Sequence, residues 1–261
     1  MYLDALGAPD EICSVFGSFA DLKTPYLLGH SAHVARLAEG AARALKLPDH
    51  ECIALRHAGL LHDLGRVGVA TGIWEKASPL GVLEMEQVRL HPYHTERMLE
   101  RSSLLRPLAR LAGLHHERLD GSGYFRGVGG SSLDMPARIL ATADACAELL
   151  EDRPGRVRVT ADIAAIQLRK EALDPDALRA VLQFAGAKHT ALRKRRPAGL
   201  TSREVEVLRL LARGQTLRNI AEQLVIAPST AHTHAAHIYE KAGISTRAGA
   251  ALFAMEHGLM D

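Results

Sequence analysis

Apolar residues recur at intervals of three and four along most of this chain, and this spacing constrains the fold more than any other feature. The segment SAHVARLAEGAARALKL illustrates it with Val34, Leu37, Ala41, Ala44 and Leu45. Such spacing places apolar side chains on one face of an α-helix. The alternation typical of strands is scarce, and only 4% of the residues are aromatic. The sequence therefore predicts an all-α fold.

A basic stretch that contains a proline, RKRRPAG, divides the chain. Its composition is that of an interdomain linker. We therefore predict a domain over residues 1–190, a linker over 191–197 and a smaller domain over 198–261. Residues 191–261 hold ten Lys or Arg against six Asp or Glu, whereas the remainder is slightly acidic. A basic tail on a mildly acidic body favours an anionic partner for the tail.

Several classes of protein are disfavoured by the composition. No segment is long and apolar enough to cross a bilayer. The first residues lack the basic start and the apolar run of a secretion signal. Cys13, Cys52 and Cys146 are widely spaced and odd in number, unlike a disulfide framework or a zinc ribbon. We expect a cytoplasmic protein with no membrane partner.

The body carries a series of histidines and aspartates, most of them at or near predicted helix ends. The adjacent pair His62 and Asp63 closes the apolar run AGLL, which is a poor way to end a helix that only packs. Helix ends from five segments can converge on one pocket. The candidate metal ligands are His30, His62, Asp63, His91, His115, His116 and Asp144.

Imidazole and carboxylate groups together suit divalent transition metals better than they suit Ca²⁺ or Mg²⁺. Iron or manganese is therefore the favoured metal here. Seven ligands exceed what one ion needs, so we predict two ions bridged by a carboxylate and a water. Asp63 is the candidate bridge. A water held between two cations becomes hydroxide near neutral pH and can attack phosphorus in line. The residues alone therefore predict metal-assisted hydrolysis of a phosphoester.

The order and spacing of these motifs resemble an HD-GYP domain, the branch of the HD phosphohydrolase superfamily that hydrolyses cyclic di-GMP. The resemblance spans residues from about 20 to 187 and rests on GHSAHVARLA, LLHDLGRVGV, HPYHTERML, HHERLDGSGYF and RILATADACAEL. It implies an HD-domain helical bundle and hydrolysis of a cyclic dinucleotide. It also implies catalytic roles for Asp63 and Arg66, and substrate contacts from Gly121, Gly123, Tyr124 and Lys76.

Three positions depart from the family pattern. Phe125 stands where the Gly-Tyr-Pro motif has its proline. The loop therefore lacks the fixed φ angle that a proline would impose there. Arg66 replaces the usual lysine after the His-Asp pair, and it offers a forked cation to a phosphate. Tyr26 occupies the position of the glutamate found in members with a third metal. We therefore expect two metal ions.

The tail opens with a capping-box pattern, in which Thr201 is the N-cap and Glu204 follows three residues later. Three short helices with a tight turn before the third have helix-turn-helix spacing, and Pro228 and Gly243 mark the ends of the third. Residues 198–260 resemble a LuxR-type helix-turn-helix DNA-binding domain. This resemblance implies a small four-helix domain that reads paired half-sites as a homodimer, with an apolar fourth helix as the candidate dimer face.

The third helix of the tail is expected to lie in the major groove of DNA. Arg218 and Lys241 are candidates for phosphate contacts. Ala227 cannot supply the N-cap hydroxyl that the family commonly has there. Few fixed positive charges on this helix indicate weak binding that depends little on salt. The candidates for contacts with base edges are Ser229, Thr230, His232 and Thr233.

Together these features predict a transcription regulator whose body binds, and hydrolyses, a cyclic dinucleotide and whose tail binds DNA. Two alternatives remain open. One is a LuxR-type transcription factor that senses a ligand or a metal and has lost turnover, which Phe125 and Arg66 would permit. The other is an HD phosphohydrolase acting on a different phosphoester, with the tail as a protein-docking module.

Overall fold

The computed structural model describes residues 9–76, 78–153, 155–188, 197–257 and 259. Residues 1–192 and residues 193–261 form two separate compact units, which we call the body and the tail. Apart from one isolated bridge between Arg153 and Arg156, the described residues contain helices and loops with no strand. The predicted all-α fold is confirmed. Of the predicted linker 191–197, only Pro197 lies within the described residues.

The body contains ten described α-helices. They are α1 (Pro9–Asp21), α2 (His30–Ala44), α3 (Asp49–Leu61), α4 (Thr71–Trp74), α5 (Val82–Arg89), α6 (His91–Leu99), α7 (Arg106–Gly113), α8 (Met135–Leu150), α9 (Ala161–Leu168) and α10 (Pro175–Phe184). Short 3-10 helices cover Pro25–Leu27, Leu64–Gly68 and Gly130–Ser132.

Small side chains let the central helices of the body pack closely. Helix α2 contacts α3, α8 and α10. A methyl group on Gly59 of α3 would stand 2.7 Å from the Cα of Ala35 on α2, so only a glycine permits this approach. The core adds fully buried leucines such as Leu55 and Leu140. This packing holds the C-terminal end of α3, with His62 and Asp63, against the middle of α8.

The tail contains a 3-10 helix at Pro197–Gly199 and four α-helices, α11 (Ser202–Ala212), α12 (Leu217–Gln223), α13 (Pro228–Ala242) and α14 (Arg247–Glu256). Their core includes Leu208, Leu211, Ile220 and Ile238. Helix α13 begins at Pro228 after an N-cap residue, Ala227, that makes no side-chain cap. It ends at Gly243, which adopts the left-handed conformation with φ of 64°.

The predicted capping box of the tail is confirmed. The hydroxyl of Thr201 accepts a hydrogen bond from the amide of Glu204, and a Glu204 carboxylate oxygen accepts one from the amide of Thr201 at 2.7 Å. Glu204 is buried, and both of its oxygens also accept hydrogen bonds from Lys241 Nζ at 2.8 Å. This carboxylate therefore joins the start of α11 to the end of α13.

Glu204 should stabilise the tail at neutral pH and lose this effect in acid. Burial alone would raise its pKa, but the bonds from Lys241 and Thr201 hold the pKa below its ordinary value. The stabilisation is therefore present above the unfolded pKa of about 4.3 and disappears as the pH falls through the lower folded pKa.

We expect Glu204→Gln to destabilise the tail by about 1–3 kcal/mol at pH 7. The difference in stability between this variant and the wild type should shrink below about pH 4, because Glu204 of the wild type then becomes protonated and loses its charge. Unfolding of the full chain by denaturant, monitored through hydrogen exchange in peptides of α11, measures this difference at pH 7 and below pH 4. An equal difference at the two pH values would contradict the stabilising role of the Glu204 carboxylate.

Candidate metal centre

The His62–Asp63 pair lies where α3 ends and the 3-10 helix Leu64–Gly68 begins. Thr95 on α6 fixes this junction, because its hydroxyl donates to the carbonyl of His62 at 2.7 Å and accepts from the amide of Gly65 at 2.8 Å. Both members of the pair are buried, with exposures of 0% and 2%. Two polar side chains are thus held inside the body at a helix end.

Gly65 permits the close approach of this junction to α6. A methyl group at Gly65 would stand 1.9 Å from the carbonyl oxygen of His91 and 2.5 Å from the amide of Thr95. We expect Gly65→Ala to destabilise the body by about 3 kcal/mol or more, because neither backbone group can move away cheaply. Gly72→Ala is the matched control, since a methyl group there meets nothing within 4 Å. Thermal unfolding followed by the fluorescence of Trp74, the single tryptophan, distinguishes the two variants; equal stability would refute the close contact.

The two carboxylate oxygens of Asp63 face different histidines. Oδ2 lies 3.8 Å from Nε2 of His30 and 3.7 Å from Nε2 of His62. Oδ1 lies 3.4 Å from Nε2 of His91 and 3.8 Å from Nε2 of His115. Asp63 thus stands between two pairs of imidazoles.

Asp144, on α8, supplies a second carboxylate to the same cluster. Its Oδ1 lies 3.3 Å from Nε2 of His30 and 3.6 Å from Nε2 of His62. Its Oδ2 lies 3.5 Å from Nδ1 of His116. The structure therefore brings all seven candidate ligands together. Three groups have donor atoms within 4.8 Å of one another, namely His30 with His62 and Asp144, His91 with His115 and His116, and His62 with Asp63 and His115.

Four of these imidazoles are oriented through Nδ1, which leaves Nε2 directed into the cluster. Nδ1 of His62, His91 and His115 lies 2.6–2.7 Å from the carbonyl oxygens of Gly59, Val88 and Ala112, each three residues earlier in the chain. Nδ1 of His30 lies 2.8 Å from a carboxylate oxygen of Glu151. Partners of this kind fix the tautomer of a histidine that binds a metal.

The residues present fit metal ions. Nε2 of His30, Nε2 of His62 and Oδ2 of Asp144 are buried and have no hydrogen-bond partner among the described residues. Buried polar atoms are rarely left unpaired. Nε2 of His91 also lies only 3.0 Å from Nε2 of His115, both directed into the cluster. Ions bound between these atoms would satisfy them.

Two carboxylates and one imidazole of the cluster have the protonation states that a metal ligand needs. Burial would raise the pKa of Asp63, but the positive charge of Arg66 and the neighbouring His62 hold it well below the ordinary value. Burial likewise opposes ionisation of Asp144, but the neighbouring imidazoles of His30 and His62 outweigh this effect and hold its pKa well below the ordinary value. Burial, together with His62, lowers the pKa of His115 to about 3. The carboxylates are therefore ionised, and His115 is neutral and able to bind a metal. Against the effect of burial, Asp144 and Glu151 raise the pKa of His30 to about 10, so this imidazole would release a proton on binding an ion.

Arg66 adjoins the cluster, whereas Lys76 does not contact it in the described part of the chain. The Arg66 guanidinium is buried, lies 3.2 Å from Oδ2 of Asp63 and covers the ring of Trp74 at 3.7 Å. Nζ of Lys76 donates to both carboxylate oxygens of Glu84 at 2.6 and 2.8 Å. Lys76 would need to leave Glu84 to contact a substrate.

The glycine-rich loop over residues 120–132 packs against the histidines. The ring of Tyr124 stacks on that of His116 with centroids 4.5 Å apart, and the Tyr124 amide donates to the His116 carbonyl. A methyl group on Gly123 would stand 2.4 Å from the Cα of Glu117, so this glycine is required for the contact. Gly121 has φ of 77°. Phe125 packs against Tyr93 and beneath the Arg126 guanidinium.

Buried Glu117 holds the loop in place. Its two carboxylate oxygens accept hydrogen bonds from the amides of Arg126 and Val128 at 2.8 and 3.0 Å. Tyr26, at the position where a third acidic ligand would stand, donates its hydroxyl to the carbonyl of Trp74 at 3.0 Å. A neutral phenol in this position offers no carboxylate to an ion.

Glu151 and His33 are parts of the centre that sequence reasoning missed. The carboxylate of Glu151 bridges Nδ1 of His30 at 2.8 Å and Nδ1 of His33 at 2.7 Å. Neither residue is among the metal ligands predicted from the sequence. The signal available in the sequence was the spacing of His30 and His33, three residues apart on one helical face.

In the tail, the structure exposes the four candidate base-contacting side chains, Ser229, Thr230, His232 and Thr233, on the first half of α13. Arg218 is 85% exposed and lies 3.5 Å from Glu222 on the same helix. Lys241 is engaged by Glu204, as described above. The four candidate base-contacting side chains are therefore accessible. Both candidate phosphate contacts form intramolecular ion pairs, a long one at an exposed site for Arg218 and a short one to a buried carboxylate for Lys241.

Comparison with known proteins agrees with the two units. The HD domain family matches residues 14–177, and the family of bacterial regulatory proteins of the luxR type matches residues 198–254. The 3′3′-cGAMP-specific phosphodiesterase 3 of Vibrio cholerae is 39% identical over 187 residues, which are 69% of this chain and 41% of that protein.

Two further likenesses concern the body. The cyclic di-GMP phosphodiesterase response regulator RpfG of Xanthomonas campestris is 33% identical over 63% of this chain and 44% of its own length. A solved structure, the HDG"Y"P protein Bd1817 of Bdellovibrio bacteriovorus, shares the fold with a TM-score of 0.51 at 18% identity, over 62% of this chain and 52% of that one. This chain spans less than half the length of the two phosphodiesterases.

The helical bundle with its buried cluster of histidines and aspartates, followed by a helix-turn-helix unit, is the arrangement of an HD-type protein with a LuxR-type tail. The chain belongs to the HD domain family, and it carries a C-terminal LuxR-type domain. HD domain phosphohydrolases depend on metals, and the clusters described above could bind them. No helix among the described residues is of the length and apolarity that a membrane span requires.

Proposed function

We propose that residues 1–190 form a phosphodiesterase that hydrolyses a cyclic dinucleotide with two divalent metal ions, and that residues 198–261 bind DNA. The observation that carries the proposal is the position of Asp63, whose two oxygens face two separate pairs of imidazoles. One ion would be held by His30, His62 and Asp144, and the other by His91, His115 and His116. Asp63 would bridge them.

The donor set suits iron or manganese. When bound, such ions would supply an activated water and would neutralise the charge of the phosphate. The chain's own residues would orient the substrate. Arg66, fixed between Asp63 and Trp74, would donate to a phosphate oxygen as charge develops there. Tyr124, stacked on His116, would form one wall for a base, with Gly121 and Gly123 shaping the loop.

The names of the relatives support the proposed substrate class. The relatives above are named for 3′3′-cGAMP and for cyclic di-GMP, two cyclic dinucleotides that share the phosphodiester ring. We propose cyclic di-GMP as the substrate, and 3′3′-cGAMP is the alternative substrate to be compared with it.

The exposed face of α13, with Ser229, Thr230, His232 and Thr233, is the proposed base-reading surface of the tail. Arg218 would contact a phosphate of the DNA. Lys241 would contact phosphate only after leaving Glu204. Two copies of the tail would read two half-sites.

A hydrolysis assay tests the body. The full chain, purified without oxygen and loaded with Mn²⁺ or Fe²⁺, is incubated with each dinucleotide, and the products are separated by chromatography. The proposal expects a linear dinucleotide from at least one substrate. Recovery of both substrates intact from protein that holds metal would contradict turnover.

One alternative function has a specific observation in its favour. Arg66 is buried under Trp74 and paired with Asp63, and Phe125 packs against Tyr93 on the loop where the family has proline. A protein with these features could bind a dinucleotide and signal to its tail without hydrolysing it. Nucleotide binding without turnover, together with a change in DNA affinity measured in matched buffer, would favour this sensor. Equal DNA affinity with and without nucleotide would exclude coupling in either case.

A further inference from the structure

Helix α1 is apolar both on its buried face and on an exposed face beside it. One face, with Cys13, Gly17 and Ala20, is buried in the core of the body. The other face consists of Ile12, Val15, Phe16, Phe19 and Leu22, which we call the α1 stripe. Val15, Phe19 and Leu22 are 68%, 59% and 66% exposed. Their spacing of three and four residues forms a continuous band along the helix.

Such a band requires an explanation. Single exposed apolar residues are normal on protein surfaces, but a contiguous apolar band on one helix marks an interaction surface. The stripe lies on the outer side of a helix whose other face packs on α3 and α2. It includes no proposed metal ligand and no residue of the glycine-rich loop, so the proposed hydrolysis does not account for it.

We propose that the α1 stripe is the interface between two copies of this chain, paired antiparallel about a twofold axis. The register of the two helices supports this pairing. If Glu11 of one copy lies opposite Lys23 of the other, then Ile12 lies opposite Leu22. In the same register Val15 lies opposite Phe19. Every pair occurs twice, because a twofold interface is isologous.

The charges at the two ends of the stripe fit this register. Glu11, at the N-terminal end, is exposed and makes no described ion pair, whereas its neighbour Asp10 is paired with Arg56 and His57. Lys23, just beyond the C-terminal end, makes one long hydrogen bond of 3.5 Å to the carbonyl of Val67. Antiparallel pairing would place Glu11 against Lys23 at both ends, whereas parallel pairing would place like charges together.

One helix pair buries less than the roughly 800 Å² per partner of a standard interface, so we expect a weak dimer that dissociates on dilution. The interface is separate from the tail's candidate dimer face on α14. It extends the proposed function, because it would bring two tails into one assembly, but it does not depend on hydrolysis.

A charge-reversal cycle tests the proposal. Sedimentation velocity of the full chain over a range of concentrations gives the dissociation constant for the wild type, Glu11→Lys, Lys23→Glu and the double variant. Each single reversal creates two repulsive contacts, so we expect about tenfold weaker association. The double variant should return to within about threefold of the wild type. Lys170→Glu, an exposed change on the body away from α1, is the control.

A second variant tests the apolar part. Phe19→Ser should abolish the dimer while leaving the circular dichroism spectrum and the metal content unchanged, because this side chain is largely exposed. A wild type that is monomeric at all concentrations would overturn the proposal, and would leave the stripe to residues 1–8 or to another partner. The proposal would also be overturned if the single reversals left the dissociation constant unchanged, or if the double variant associated as weakly as the single variants.

Discussion

Asp63→Asn is expected to reduce hydrolysis of the cyclic dinucleotide by at least about 10³-fold and to lower the metal content below two ions per chain. The asparagine side chain has the same shape, but one carboxylate oxygen becomes an amide nitrogen that cannot bind a cation, and the negative charge is lost. Because the two oxygens of Asp63 face different pairs of imidazoles, this single change affects both proposed ions. Losses of this size follow the removal of a group that stabilises charge in a transition state.

The control for this variant is His50→Ala, which removes an exposed imidazole at the start of α3. It should keep full activity and full metal content. Both variants should keep the wild-type circular dichroism spectrum, which separates loss of metal from loss of fold. Activity within tenfold of the wild type for Asp63→Asn, with two ions retained, would exclude Asp63 as the bridge.

Thr230→Glu is expected to weaken DNA binding by about 100-fold or more without changing hydrolysis. Thr230 is exposed near the start of α13, the helix proposed to enter the major groove. A carboxylate there would face the phosphates and the base edges, on a helix that has few fixed positive charges to offset it. Gel shifts against genomic promoter fragments, at one stated salt concentration, measure the effect.

Gln87→Glu provides the matched control, because it adds the same charge to an exposed position on α5 of the body. It should leave DNA binding unchanged. If Thr230→Glu bound DNA as tightly as the control, the tail would contact DNA by another face, or would dock on protein as the alternative reading of the tail holds.

The parts of the fold that could be predicted were those with a local cause. Helical spacing predicted the all-α architecture, and the capping box of Thr201 and Glu204 depends on residues three apart. The seven proposed ligands could be named because each belongs to a short motif. Their convergence is a tertiary fact, and the order of the family motifs was what made it predictable.

The contacts that could not be predicted join residues distant in the chain. Glu151 binds His30 across 121 residues, and no local pattern indicates that pair. Lys76 was expected to contact the substrate and Lys241 a phosphate of DNA, and the structure pairs each of them with a glutamate. Lys241 and Glu204 are 37 residues apart, so their pairing depends on how α13 packs on α11. The exposed stripe of α1 likewise depends on which face the core uses.

The most direct test of the account is the position of the ions themselves. Crystals grown anaerobically with Mn²⁺ are measured at the manganese absorption edge, and the anomalous peaks are located. The account predicts two peaks about 3.5–4 Å apart, one on each side of the Asp63 carboxylate. One ion would contact His30, His62 and Asp144, and the other His91, His115 and His116. A single peak, or peaks that do not share Asp63, would contradict the two-metal centre.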